Sequence, residues 1–302
     1  MKRIKIAYLG GGSKEWAHVF MNDLAFSDLN GEIALYDIDL EAAKLNQKIG
    51  CLINKDAKTK SVWDYKVYED LDHCLIGADF VAISILPGTF KEMHFDVHAP
   101  EEYGIYQPVG DTTGPGGVLR SMRTVPIYME FAEKIKANCP DAWVLNFTNP
   151  MSICLQTLYD VFPKIKAFGC CHEVFNTQNF LCEVLREETG IKATREEIFT
   201  DVSGINHFTW INKAYYRDLD LLKLLDSFIL TYGKEGYNER GEVNSFRTNP
   251  FHYANLVKMD FYRRYGILGA AGDRHLVEFM NPNYYLKDNI DAQITIKDLD
   301  YM

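Results

Sequence analysis

The chain has 302 residues, enough for two domains or for one large α/β unit with an extension. Its composition, 47% hydrophobic and 25% charged, is that of an ordinary soluble globular protein. A net charge of −10 argues against nucleic acid as a partner, because phosphate backbones need clustered Lys and Arg; an anionic small molecule needs only one or two local cations.

In chain order, residues 4–9 read as a buried strand, followed at once by Gly10-Gly-Gly-Ser13 and a helix over about 14–26. A second strand covers 32–37 and a second helix 40–53. The continuous apolar run 80–86, ending in Pro87-Gly88, reads as a parallel strand covered on both faces. A helix over about 119–137 is expected to turn Leu119, Met122, Ile127, Phe131 and Ile135 inward. Strands follow at 142–147 and 165–168; the alternation then fades, with a strand-rich stretch at 201–216, a polar loop at 235–249 and a helix from about 258. There is no internal repeat. This order predicts an α/β fold: a Rossmann-type doubly wound parallel sheet over 1–190, then an α+β substrate and metal domain over 191–302.

Ligands of such sheets sit beyond the carboxyl ends of the strands. The first such end carries Gly10, Gly11 and Gly12, which permit a tight turn and close approach of backbone to a pyrophosphate. Asp37, 27 residues after Gly10, would accept hydrogen bonds from ribose hydroxyls and repel a 2′-phosphate, which favours NAD. Gly10, Gly12, Ser13, Asp37 and Pro87 are the candidate cofactor contacts, although Glu15 stands where the usual fingerprint has its third glycine.

The runs Phe168-Gly-Cys-Cys-His-Glu173 and Gly204-Ile-Asn-His-Phe208 place thiols, imidazoles and a carboxylate in two short polar islands. Cys171 and His207 are the candidate ligands of a zinc-, iron- or manganese-type ion, if the fold unites them. His172 and Glu173 add a candidate acid or base beside them. Asp111 centres a glycine-rich loop at 107–117, of the kind that covers a site or merely turns at the surface. Asp260 is a candidate base and Arg274 a candidate clamp on a carboxylate or hydroxyl. Cys51, Cys74, Cys139, Cys154 and Cys182 read as buried structural thiols. The seven cysteines show no disulfide spacing, no signal-peptide pattern opens the chain, and no apolar run reaches transmembrane length, so a cytoplasmic protein without a membrane partner is expected.

Residues 6–13, Gly114-Pro-Gly-Gly117 with Arg123-Thr124, Asn146-Phe-Thr-Asn-Pro150, Gly169-Cys-Cys-His172 and Gly204-Ile-Asn-His207 resemble, in this order, the motifs of glycoside hydrolase family 4. The resemblance runs from residue 4 to about 280 and implies NAD and a divalent metal, expected to be Mn²⁺, in a fold similar to lactate and malate dehydrogenases. That family departs from the two-carboxylate mechanism of most glycosidases. Members with Cys-His at the metal motif resemble enzymes of unphosphorylated glycosides. The fuller run 170–175, with Asp37-Ile-Asp39 and residues 271–275, looks most like the α-galacturonidase branch.

The resemblance implies that Cys171 and His207 hold the metal and that Asp260 or Tyr265 removes the C2 proton of the sugar. It further implies His172 or Asp111 as proton donor, Asn149 on the sugar and Arg274 on a uronate carboxylate. It implies a small-molecule glycoside as partner, a homo-oligomer, and a longer C-terminal part than 191–302 supplies, so that this domain reads as truncated. An α-galactosidase or α-glucosidase of the same family, a lactate/malate-type dehydrogenase and a non-catalytic NAD-binding module are the alternatives.

Overall fold

Apolar runs alternating with amphipathic segments fold, in this computed structural model, as the pattern predicts; residues 3–237 and 254–281 are described. The first compact unit comprises residues 1–89 and 120–170. It contains β1 (Ile4–Leu9), α1 (Trp16–Ala25), β2 (Gly31–Tyr36), α2 (Leu40–Ile53), β3 (Trp63–Tyr68), α3 (Leu71–Leu75) and β4 (Phe80–Ile83). After α4 (Phe90–His98), α5 (Gly114–Asn138) leads to β5 (Trp143–Asn146), α6 (Met151–Val161) and β6 (Lys166–Gly169).

The six strands form one sheet in the order β3-β2-β1-β4-β5-β6, every pair parallel. The doubly wound expectation is met. Side chains along β1 divide by the period of two that a strand imposes. Ala7 and Leu9 join a core with α3, α5 and α6, including Leu75, Tyr128, Phe131, Ile135 and Leu158. Ile6 and Tyr8 join a core with Met21, Leu35 and Trp63. Each fully buried large side chain stabilises the fold by about 1.5–3 kcal/mol. The order reverses between β1 and β4, which makes the loops after these strands the crevice where ligands of this fold sit.

The second unit comprises residues 90–119 and 171–302. Its elements after α4 are α7 (Glu173–Thr189), β7 (Ile198–Ile205), β8 (Phe208–Tyr216), β9 (Leu219–Asp220), α8 (Leu221–Tyr232), α9 (Leu256–Tyr265), β10 (Leu268–Gly269) and α10 (Asp273–Leu276). The strands form an antiparallel sheet, β10-β8-β7 with β9 on β8. Phe180, Leu185, Ile211, Leu225, Phe228 and Met259 pack α7, α8 and α9 against it.

The sequence reading divides the chain at 190/191, whereas the compact units divide at 170/171 and the second also takes in 90–119. Met122 is 70% exposed rather than inward, while Phe131 and Ile135 are buried as expected. Cys51 is exposed, and the other four cysteines read as structural are buried. Most of the 235–249 loop and all of 288–302 lie outside the described residues.

Gly10 combines a left-handed backbone with a close approach that excludes a side chain. Its φ is +96°, and a Cβ there would lie 1.9 Å from the Ser84 carbonyl oxygen. Gly77 has φ +73° but open space around it. Gly10→Ala should therefore lower the unfolding free energy by about 2–4 kcal/mol, against about 1 kcal/mol for Gly77→Ala, as measured by urea denaturation. Equal effects would mean that the close approach to Ser84 is not tight in solution.

Candidate dinucleotide turn and metal centre

In the first unit, β1 runs into a turn built from backbone donors. The Gly10 and Gly11 N–H groups both donate to the Tyr36 carbonyl at 2.9 Å, and the Gly12 N–H donates to Asp37 Oδ2 at 2.8 Å. Asp37 Oδ1 accepts from the Asp39 N–H at 2.9 Å. A Cβ on Gly11 would meet Leu35 at 2.8 Å, and one on Gly12 would meet Ala42 at 2.8 Å and Asp37 at 2.9 Å. The turn thus has the close backbone packing that a dinucleotide cradle requires, and Asp37 keeps acceptor capacity for hydroxyl groups. Ser13 Oγ accepts from the Trp16 N–H at 3.0 Å, at the start of α1.

The buried Asn46, which the sequence reading passed over, braces this turn from α2. Its Nδ2 donates to the Gly11 and Ser13 carbonyls, each at 2.8 Å. Pro87 is buried after β4, and its carbonyl accepts from Arg123 Nε at 3.3 Å. Asn149 follows β5 and precedes a cis bond to Pro150. All the predicted cofactor contacts, and Asn149, belong to this unit.

In the second unit, Cys171 and His207 meet. Residues 171–173 lead into α7, and His207 lies with Asn206 in the two-residue turn of the β7–β8 hairpin, where Ile205 pairs with Phe208. Cys171 Sγ is 3.6 Å from His207 Nε2. Thiolate and imidazole bonds of about 2.3 and 2.0–2.1 Å at a tetrahedral ion would set sulfur and nitrogen about 3.6 Å apart, so the pair fits a shared cation. Cys170 falls in the other compact unit.

The second island is held to the first by a carboxylate. Glu173 Oε2 accepts the His207 N–H at 3.1 Å, and Glu173 Oε1 accepts the Thr209 hydroxyl at 2.8 Å. Glu173 is thus a brace of the hairpin rather than an acid or base facing solvent. It is buried, which raises its pKa, against the opposing pull of Thr209, the His207 N–H and the Lys258 charge. His207 itself has φ +62°, a left-handed conformation uncommon for a residue with a Cβ.

Behind His207 lies a second group of donors. Asp111, His207 and His275 place ligand-type atoms within 4.8 Å of one another. Asp111 Oδ1 is 3.8 Å from His207 Nδ1 and 3.9 Å from His275 Nδ1, and the two rings stack at 3.6 Å with 24° between planes. Nearly parallel rings cannot both aim in-plane lone pairs at one ion, which favours the Cys171 side of His207 for a metal.

Burial, then the nearby His275, pushes His207 down to about 3, so its ring is neutral, as a ligand must be. Burial, then the Glu173 charge, pushes Cys171 up to about 11. The thiol therefore holds its proton near neutrality until a cation displaces it. His172 is exposed, yet partial burial of its ring lowers its pKa, and it acts electrostatically on both His207 and His275.

The remaining predicted residues are placed as follows. Asp111 Oδ1 accepts the Thr112 hydroxyl at 2.6 Å. Arg274 Nη2 donates to the Pro108 carbonyl at 3.3 Å, in the loop that carries Asp111. Asp260 pairs with Arg263 at 2.7 Å and Arg264 at 2.6 Å, so two guanidinium groups occupy its carboxylate. Tyr265 is 58% exposed, with its ring edge on Phe261. Sequence reasoning missed Thr112, His275 and Glu278. Glu278 Oε1 accepts the Val109 and Gly110 N–H groups, each at 2.7 Å, and burial pushes its carboxyl up to about 8.

The chain belongs to the family 4 glycosyl hydrolases: the family model matches residues 5–187, and the model of the family's C-terminal domain matches 202–301. The second match extends beyond residue 280, where the sequence reading ended the resemblance. An α-galacturonidase of Thermoanaerobacter italicus is 55% identical over 286 residues, covering 94% of this chain and 61% of that protein. The crystal structure of a Bacillus subtilis protein described as a glucosidase superposes with a TM-score of 0.87 at 49% identity, covering 93% of this chain and 63% of the other.

A 6-phospho-β-glucosidase of Thermotoga maritima, solved with manganese, NAD⁺ and glucose-6-phosphate, superposes with a TM-score of 0.68 at 22% identity, covering 92% and 59%. Malate dehydrogenase of Cryptosporidium parvum gives 0.51 at 16% identity, covering 92% and 76%, which shows the shared dehydrogenase-like fold alone. The chain spans 61–63% of the length of the four α-galacturonidases it matches.

Two outcomes are expected. Cys171→Ser should weaken binding of Mn²⁺ or Zn²⁺ at least tenfold in calorimetric titration, while Cys170→Ser changes it less than threefold; equal losses would make the wrong thiol the ligand. For Glu278, the folded pKa of about 8 lies above the ordinary 4.5, so the folded state binds the extra proton and stability falls as pH rises from 4.5 to 8. Glu278→Gln should remove that contribution, up to about 1.4 kcal/mol per pH unit, from the pH dependence of the unfolding free energy. An unchanged slope would contradict the burial of this carboxyl.

Proposed function

We propose that this chain carries the catalytic centre of a glycosidase that uses NAD and a divalent metal, Mn²⁺ in our reading, on an unphosphorylated α-galacturonide. The observation that carries the proposal is the approach of Cys171 Sγ to His207 Nε2 at 3.6 Å, with His172 as the next residue. Four relatives at 50–55% identity are named α-galacturonidases, which supports the substrate reading. The NAD and manganese in the Thermotoga maritima structure support the cofactor reading.

The glycine turn fits a dinucleotide, with Gly10, Gly12, Ser13, Asp37 and Pro87 as its contacts. The Cys171–His207 pair fits a cation. When bound, NAD⁺ would supply a reversible oxidation at C3 of the sugar, its hydride returning once the C1 group has left and water has added, and the metal would polarise the adjacent oxygens and so acidify the C2 proton.

The chain's own groups then have the following duties. Asn149 hydrogen-bonds the sugar, and the Arg274 guanidinium pairs with the uronate carboxylate. Tyr265 or Asp260 takes the C2 proton; for Asp260 this requires release from Arg263 or Arg264, its partners at 2.7 and 2.6 Å. His172 gives a proton to the departing glycosidic oxygen. Asp111, whose Oδ1 accepts a hydrogen bond from Thr112, is the alternative donor.

Seven cysteines without a disulfide suit a reducing compartment, which supports a cytoplasmic setting. Among the described residues no helix is long and apolar enough to cross a membrane. A homo-oligomer and the absence of nucleic-acid binding complete the proposal; the charge of −10 supports the latter.

An aryl α-galacturonide incubated with the chain, NAD⁺, Mn²⁺ and a thiol reductant should release its aryl group, with no net NADH. Omitting NAD⁺ or Mn²⁺ should lower the rate at least a hundredfold, on the order of one removed transition-state contact or more. Release that persists without NAD⁺ would overturn the redox mechanism. Net NADH formation would make the chain a dehydrogenase, and release from an α-galactoside alone would overturn the choice of sugar.

A further inference from the structure

We infer that Thr112, backed by Asp111, selects which nitrogen of His207 is offered to a metal, and so decides which of two competing donor sets holds it. The inference rests on the metal reading of the Cys171–His207 pair and adds a positioning residue to it.

His207 faces donors through both ring nitrogens. Nε2 lies 3.6 Å from Cys171 Sγ. Nδ1 faces Asp111 at 3.8 Å, within a group that also includes His275. A cation could in principle be drawn to either side. A ligating imidazole is neutral, with one N–H and one lone pair, and the hydrogen bond at the other nitrogen determines which is which.

Thr112 Oγ1 sits 2.6 Å from His207 Nδ1. The same hydroxyl donates its single proton to Asp111 Oδ1, also at 2.6 Å. A hydroxyl has one proton, and a carboxylate can only accept. Thr112 must therefore accept from His207, which places the ring proton on Nδ1 and the lone pair on Nε2, toward Cys171. The hydroxyl also fills the space at Nδ1 that an ion shared by Asp111 and His275 would need.

The position of Thr112 is imposed by its loop. On one side Glu278 Oε1 takes the Val109 and Gly110 N–H groups at 2.7 Å. On the other, the buried Gln107 donates to the Thr113 carbonyl at 2.7 Å and accepts the Gly116 N–H at 2.9 Å. The stack of His275 on His207 fixes the ring plane.

The test uses Thr112→Val, Thr112→Ala and Thr112→Ser in the 302-residue chain, with Mn²⁺ alone as probe. The first readout is the ¹⁵N spectrum of the metal-free histidines, with His207 assigned by its loss in His207→Gln. The parent and Thr112→Ser should show His207 as the Nδ1–H tautomer, and Thr112→Val or Thr112→Ala a mixture. The second is calorimetric: the apolar variants should bind Mn²⁺ about 10–100-fold more weakly, and Thr112→Ser within about threefold of the parent.

An unchanged tautomer, or Mn²⁺ affinity within twofold of the parent in both apolar variants, overturns the inference. So does a loss that Thr112→Ser fails to restore, since the methyl group rather than the hydroxyl would then matter. If Thr112→Val does not fold, Thr112→Ala and the tautomer of the parent decide. Neither readout contains sugar or NAD⁺. Expected tautomers and affinities with no galacturonide release would contradict the functional reading and leave this inference standing.

Discussion

The second unit's candidate centre depends on one buried carboxylate. Glu173 opens α7 beside Cys171 and accepts both the His207 N–H and the Thr209 hydroxyl across the β7–β8 hairpin tip. That bridge ties together two islands 34 residues apart in sequence and adds to the approach of Cys171 Sγ to His207 Nε2. The hairpin tip is a costly conformation, since His207 holds φ +62°. Such strain persists where surroundings over-determine it. A buried carboxylate also needs compensation, and the buried Lys258 supplies charge to Glu173 and to Asp273 while donating to Thr177 at 2.6 Å. The candidate pair, Cys171 and His207, is thus held by a network of backbone donors, hydroxyls and one buried ammonium group.

The first unit reaches the same rigidity by different means. Its turn contains no titratable group other than Asp37, and its shape comes from glycines that leave no room for a Cβ against Ser84, Leu35 and Ala42. Asn46 replaces missing backbone partners from inside α2. Carbonyls tied back to Asn46 and N–H groups tied to Tyr36 and Asp37 leave the turn's form fixed. A metal centre needs deprotonatable or neutral donors at set distances, and those come from side chains held by hydrogen bonds.

Much of this was legible in the sequence. The parallel sheet followed from continuous apolar runs such as residues 80–86, and the glycine turn from its place between strand and helix. The pairing of Cys171 with His207 was readable from the donor types in the two polar islands and from the family motifs they match. Other features were hidden for physical reasons. β3 is an edge strand whose Asp64 and Lys66 face solvent, so its apolar signal is weak. α7 carries buried positions at 173, 177, 180, 181, 182, 184 and 185, most of them at a helical spacing that was available and not used.

Asp260 looked available as a base, and its position three and four residues before Arg263 and Arg264 on one helix was the sign that it would be paired. Thr112, His275 and Glu278 act through contacts 95 to 169 residues away or through ring stacking, which no local pattern encodes.

In the proposed centre one sulfur and one imidazole nitrogen serve a single cation, with Glu173 holding them in register. X-ray absorption at the metal edge of the chain reconstituted with one equivalent of Zn²⁺ tests it most directly. The expected spectrum has one sulfur at about 2.3 Å and imidazole nitrogen at about 2.0–2.1 Å in the same shell. A shell of nitrogen and oxygen without sulfur would place the ion at Asp111 and His275 instead and rule out Cys171 as a ligand.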